Sequence, residues 1–201
     1  MIDNKTYRLD ESNYNKSETK KTKIILGHTY NNNMKHFIGW KHRNYGKYKK
    51  TAAFTISKEG VIYQHFDPKY TSNYFKNSDL NSKSILILLE NEGYLVKDND
   101  KYFNWVGEEY TNKNNIFEKK WRGFSFWPKY TDEQLNSAIK LVKKLCNDFN
   151  IPLKSINHNT KVEYLGVFNG VFYKSNLAKH YKDLSPCWDF EIFKRKVEQN
   201  D

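Results

Sequence analysis

TKIILGHTYN, residues 22–31, is an apolar run that ends in Gly27-His28 and passes directly into polar sequence. That pattern reads as a buried strand running out into a loop. A second run, SKSILILLENEG at 82–93, is the most apolar stretch of the chain. It has the length of a central strand covered on both faces, and it ends in Glu90. Between the two, NNMKHFIGWKHRN (32–44) spaces Met34, Phe37, Ile38 and Trp40 as a helix would. TAAFTISKEGVIYQHF (51–66) reads as a hairpin turned at Lys58-Glu59-Gly60. Further on, YTDEQLNSAIKLVKKLCNDFNIP (130–152) is the clearest helix. Thr131 is its N-cap and Gln134 its capping-box partner. Leu135, Ile139, Val142, Leu145, Cys146 and Phe149 form its apolar stripe, and Pro152 stops it. KSINHNTK (154–161) is a short strand or strand end. GVFNGVFYKSN (166–176) is a hairpin turned at Asn169-Gly170, and WDFEIFKRKVEQ (188–199) is a closing amphipathic helix. Alternating strands and helices predict a single mixed α/β domain, a central sheet flanked by helices. Residues 1–21 read as a polar arm, 22–201 as the domain, and 92–130 as an insertion with little regular structure.

The chain has 201 residues and a net charge of +11, with an isoelectric point near 9.4. This balance favours polyanionic partners such as nucleic acid, anionic membrane or acidic cell wall. No zinc finger, RNA-recognition signature or heptad-linked basic region is present, so nucleic acid is not the expected partner. The lysines are scattered in pairs, as on a solvated surface. No apolar run reaches membrane-span length, and the first residues lack the apolar segment of a signal peptide. Two cysteines, Cys146 and Cys187, imply no disulfide framework.

Six histidines are the first candidates for chemistry. His36 and His42 lie in the first predicted helix among Lys and Asn and read as surface residues. His65 follows the hairpin, where it would line a groove. His28 and His158 differ, because each stands where an apolar segment meets a polar loop, the place where α/β proteins display functional groups. Two such histidines and a later carboxylate meet the needs of a hydrolytic zinc, three protein donors with one position open to water.

Several segments then resemble the zinc-dependent N-acetylmuramoyl-L-alanine amidases of type 2, a family shared by phage endolysins and peptidoglycan-recognition proteins. KIILGHTYN is similar to the strand ending in that family's first ligand histidine. FTISKEGVIYQ resembles its F-V-I-D-R-D-G-T-I-Y-Q hairpin, with Gly60, Ile62, Tyr63 and Gln64 in register. KSILILLEN resembles N-S-I-G-I-E-L-E-N, the 130–152 helix resembles the one beginning Y-T-D-x-Q, and INHNTK stands where the family has I-x-G-H. DLSPCWDF lies on the closing K-x-D-P-G-P-x-F-D-W, which puts the third ligand on Asp183. The resemblance implies a type 2 amidase-like fold and Zn2+ held by His28, His158 and Asp183. It implies cleavage of the amide joining N-acetylmuramic acid to L-alanine in peptidoglycan, by a monomer. A lytic enzyme of this kind waits in the host cytoplasm before release to the wall, or travels in the virion.

The departures are specific. Ala52 stands where many members have a catalytic Tyr, Ala53 where His is frequent, and Leu88 where the first Glu of a pair belongs. Glu90 is left as candidate base or water-orienting group, with an ordinary strand-end salt bridge as its plain alternative. Tyr181 replaces the lysine two before the ligand Asp, which leaves Lys182 or Lys179 to stabilise an oxyanion. Cys187 and His180 are rival third ligands behind Asp183. Asp189 is a helix cap before it is a second support for the metal. The alternative function is a non-catalytic peptidoglycan-binding protein that keeps the fold, motivated by Ala52.

Overall fold

The computed structural model describes residues 2–162 and 167–199. Its elements, in chain order, are β1 (Ile2–Asp3), β2 (Lys23–His28), α1 (Lys35–His42), β3 (Phe54–Ile56), β4 (Ile62–Gln64), α2 (Ser78–Lys83) and β5 (Ser84–Leu89). There follow β6 (Val96–Asp98), β7 (Lys101–Phe103), β8 (Ile116–Trp121), β9 (Phe124–Pro128), α3 (Asp132–Phe149), β10 (Gly170–Tyr173), α4 (Lys174–Leu177) and α5 (Phe190–Glu198). A mixed sheet runs β1-β4-β3-β5-β2-β10. Only the β3–β4 hairpin pairs antiparallel within it.

The two apolar runs became the sheet's centre. Every residue of β2 and β5 is buried, as continuous apolar strands in a parallel pair require. Gly60 sits at φ 79°, the left-handed turn that closes β3–β4. Helix α3 begins at the expected capping box: Gln134 N–H donates to Thr131 Oγ1, and Thr131 N–H donates to Gln134 Oε1. Its buried residues include Ile139, Val142, Leu145 and Cys146, so that cysteine is core.

Four expectations are corrected. The N-terminal arm is packed: β1 joins the sheet, Leu9 and Tyr14 are buried, and Asn13 Nδ2 donates to the carbonyls of Trp40, Gly46 and Tyr48. The 92–130 segment carries two hairpins, β6–β7 and β8–β9, joined by a bridge between Leu95 and Phe126. The Asn169-Gly170 hairpin does not form between described residues. Instead β10 docks in parallel on β2, with Tyr173 opposite Leu26. Burial decided this: Val171, Phe172 and Tyr173 are completely buried, and a parallel edge position covers them where a free hairpin would not. Part of that expected hairpin, Gly166, lies outside the described residues. The sequence 154–161 forms no strand; Ser155 makes one isolated bridge to Val171.

Candidate functional site

His28 ends β2 with its side chain completely buried. Its Nδ1 lies 2.9 Å from the Tyr130 hydroxyl, and its Nε2 is buried without a hydrogen-bond partner. Burial lowers its pKa to about 4, so the ring is neutral near pH 7. Tyr30 meets it edge-on, ring centroids 4.2 Å apart.

Asp183 is completely buried beside this strand end. Its Oδ2 accepts the His28 backbone N–H at 3.1 Å and lies 2.7 Å from Lys174 Nζ. Lys174 is the first residue of α4, directly after β10, and its side chain is 2% exposed. Its ammonium also donates to the Tyr74 hydroxyl at 3.0 Å, and faces the rings of Tyr30, Tyr74 and Tyr181 at 5.6, 5.1 and 5.0 Å. Burial works against the lysine's charge, but the Asp183 carboxylate more than reverses it and holds the pKa above the usual lysine range. Removing one partner of such a buried pair costs roughly 3–5 kcal/mol.

His158 lies near the backbone of Leu184, the residue after Asp183. Its ring stacks on Phe190 at 3.8 Å and faces Trp121 at 5.1 Å. Its Nε2 is buried without a partner, and burial lowers its pKa to about 4. Thus His28 and Asp183 meet, and His158 packs against Trp121 and Phe190 near Leu184. Asp183 Oδ1 is also buried without a partner. The donor types suit zinc, and one atom on each of the three residues is unpartnered. Yet among the described residues no three His, Cys, Asp or Glu side chains are gathered so as to hold a metal ion. As placed, the three do not fit a shared metal.

The remaining candidates separate clearly. Glu90 is buried, and its Oε1 accepts the Asn33 backbone N–H. Burial raises its pKa, opposed by that hydrogen bond. Cys187 is no nucleophile: burial pushes its thiol up to about 11, and Sγ donates to the Pro128 carbonyl at 3.3 Å. His180 is exposed beside Tyr181. Asp189 caps α5 by accepting the Ile192 N–H at 2.8 Å.

His36 and His65, expected on the surface and in a groove, are both buried. His65 Nδ1 bonds the Tyr7 carbonyl, so it carries the proton. His65 Nε2 therefore accepts from Thr55 Oγ1, and that hydroxyl accepts from His36 Nε2. Ala52 and Ala53 are core residues.

A groove of about 690 Å³ opens beside the end of β2. Its walls carry Tyr30, Trp40, Tyr94, Trp105 and Phe124 and the cations Lys35, Arg43 and Lys182. Ligands of α/β sheets bind at such strand ends, and the size suits a small glycopeptide. The insertion builds one wall. Trp105 Nε1 donates to the Tyr30 carbonyl at 2.7 Å. Tyr94 stacks on Phe124 at 3.6 Å, and Lys182 Nζ lies 5.9 Å from the Phe124 ring. From the β8–β9 turn, Arg122 donates to the carbonyls of Ser175, Ala178 and Tyr181, clamping the segment that carries Lys182.

Sequence reasoning missed Lys174 and Arg122. A signal existed for the first: Lys174 directly continues the apolar run VFY, where a surface lysine is out of place.

Residues 17–169 match the family model described as N-acetylmuramoyl-L-alanine amidase. The match ends before Lys174 and Asp183. No curated protein sequence matches the chain. Among solved structures, the N-acetylmuramoyl-L-alanine amidase LysC from Clostridium intestinale URNW is similar at 18% identity and TM-score 0.57, covering 100% of this chain and 99% of that one. The endolysin amidase LysCS from the same organism is similar at 17% identity and TM-score 0.57, covering 100% and 97%. A substrate complex of the E. coli amidase AmiD is similar at 12% identity and TM-score 0.58, covering 90% of this chain and 59% of that one. At these identities the structures establish a shared fold.

Proposed function

The chain belongs to the N-acetylmuramoyl-L-alanine amidase family, and from that premise we propose that it acts on bacterial peptidoglycan, hydrolysing the amide between N-acetylmuramic acid and L-alanine. The observation that carries this reading is the aromatic and cationic groove at the end of β2, beside His28. Aromatic faces suit sugar rings, and Lys35, Arg43 and Lys182 suit the carboxylates of a stem peptide. Lys182 stands where it can also meet a developing oxyanion. The neutral His28 ring, its Nε2 unpartnered, lies edge-on to Tyr30, a wall of the groove. Glu90, tied to the Asn33 backbone, orients the loop after β2. Zinc would supply a nucleophilic water to such a reaction, but His28, His158 and Asp183 as placed do not form its site, and no step is routed through it. Action at the wall fits a phage lysin that is released from the host cytoplasm or carried in the virion.

One observation favours a second reading, recognition of peptidoglycan without cleavage: Asp183 is paired with the Lys174 ammonium. Mass spectrometry of peptidoglycan incubated with the protein decides between them. Release of stem peptides with a free L-alanine amine establishes the amidase. Sedimentation with peptidoglycan, leaving every amide intact, establishes recognition alone. A cut in the glycan strand overturns the assigned bond.

A further inference from the structure

We infer that the ε-ammonium of Lys174 is the resident cation of the Asp183 centre, so that the chain folds and holds its wall ligand without a divalent metal. The inference rests on the peptidoglycan reading only where the ligand is concerned.

The topology brings the lysine there. Because β10 pairs in parallel with β2 and Tyr173 lies opposite Leu26, the next residue, Lys174, emerges beside Gly27, one before His28. Its ammonium lies 2.7 Å from Asp183 Oδ2, and the Tyr74 hydroxyl and three tyrosine rings enclose it. Every partner supplied is electron-rich, as a permanent cation requires. Asp183 Oδ2 is thus already shared between an ammonium and the His28 N–H.

The strand is shaped for this pair. A Cβ on Gly27 would lie 2.4 Å from Lys174 Cδ and 2.5 Å from Asp183 Oδ2. A glycine at this point makes room for the lysine stem and the carboxylate together. A dication at Asp183 would sit against the positive charge of Lys174, whose ammonium is 2.7 Å from Oδ2. The pair carries no net charge; adding a dication would leave uncompensated charge in a buried place.

The test uses the full chain, produced in zinc-supplemented medium and dialysed. Elemental analysis is expected to find well under one zinc per molecule. The melting temperature is expected to be the same with chelator and with added zinc, and sedimentation with peptidoglycan equally unaffected. One zinc per chain, or a melting temperature that rises with zinc, overturns the inference. Charge pairing is read separately from urea midpoints of Lys174→Met, Asp183→Asn and the double variant. The double variant is expected to lose less than the two single losses added together; additive losses overturn the pairing. The double variant carries no unpaired charge at this centre, so it gives a folded reference if a single variant fails to fold. Zinc content and melting need no wall material, so failure of the peptidoglycan reading leaves these results interpretable.

Discussion

Gly27 shows how much one hydrogen atom in place of a methyl can decide. Its neighbours are buried and mutually bonded, so they cannot yield to a new Cβ. Gly27→Ala is expected to destabilise the chain by about 2–4 kcal/mol, measured by urea denaturation, through overpacking and loss of the ion pair. The buried histidines set an acid limit. Burial lowers the pKa of His65 to about 4 and of His36 to about 3, each from 6.5. Between those values the unfolded chain binds more protons than the folded one, so stability falls as pH drops below 6.5. The loss is expected to reach on the order of 3 kcal/mol per histidine by pH 4, read as a shift in urea midpoint, and a flat profile would contradict the bonded chain through Thr55. The sequence showed His28 because it stands where an apolar strand meets a polar loop, and Asp183 only through the resemblance of DLSPCWDF to the family's closing motif. It hid Lys174, because in a chain with 34 Lys and Arg a single lysine looks like surface. It misplaced His36 because a helix's buried face depends on what lies across from it.

At the scale of elements, periodicity was readable and partnership was not. Strands β2 and β5 and helix α3 follow from apolar runs and a capping box that need no knowledge of the rest of the chain. The docking of β10 does not, since an Asn-Gly pair between β-prone runs carries the same local signal for a hairpin as for an edge strand. The inserted hairpins were likewise unreadable, because charges and aromatics alternate there without a dominant period. Their clearest link to the site is Arg122, whose three carbonyl partners all lie between Ser175 and Tyr181. Arg122→Ala is expected to speed amide hydrogen exchange through residues 175–182 at least tenfold and to weaken peptidoglycan sedimentation, while α3 exchanges as before. Unchanged exchange would show the clamp to be dispensable. The magnitude follows from losing three charge-assisted hydrogen bonds of about 1.5 kcal/mol or more each, part of which water replaces.

Across the whole molecule, a charge of +11 and cations at the groove predict salt-sensitive attachment to an anionic wall. Sedimentation with peptidoglycan is expected to fall several-fold between about 0.05 and 0.5 M salt, as the screening length shrinks. Binding that ignores salt would place the affinity in the aromatic wall alone. Among the described residues no helix is long and apolar enough to cross a membrane. The fold class and the family were legible because separate motifs occur in the right order along the chain; the state of the centre was not, because it joins residues remote in sequence. That remoteness bears on synthesis. His28 and Asp183 are 155 positions apart, and the strand that delivers Lys174 pairs with β2 from the far end of the chain. Such distant pairing is slow to form, so a ribosome must pass residue 183 before the charged heart can close. A nascent chain stopped at residue 169 would hold nearly every family motif and no centre.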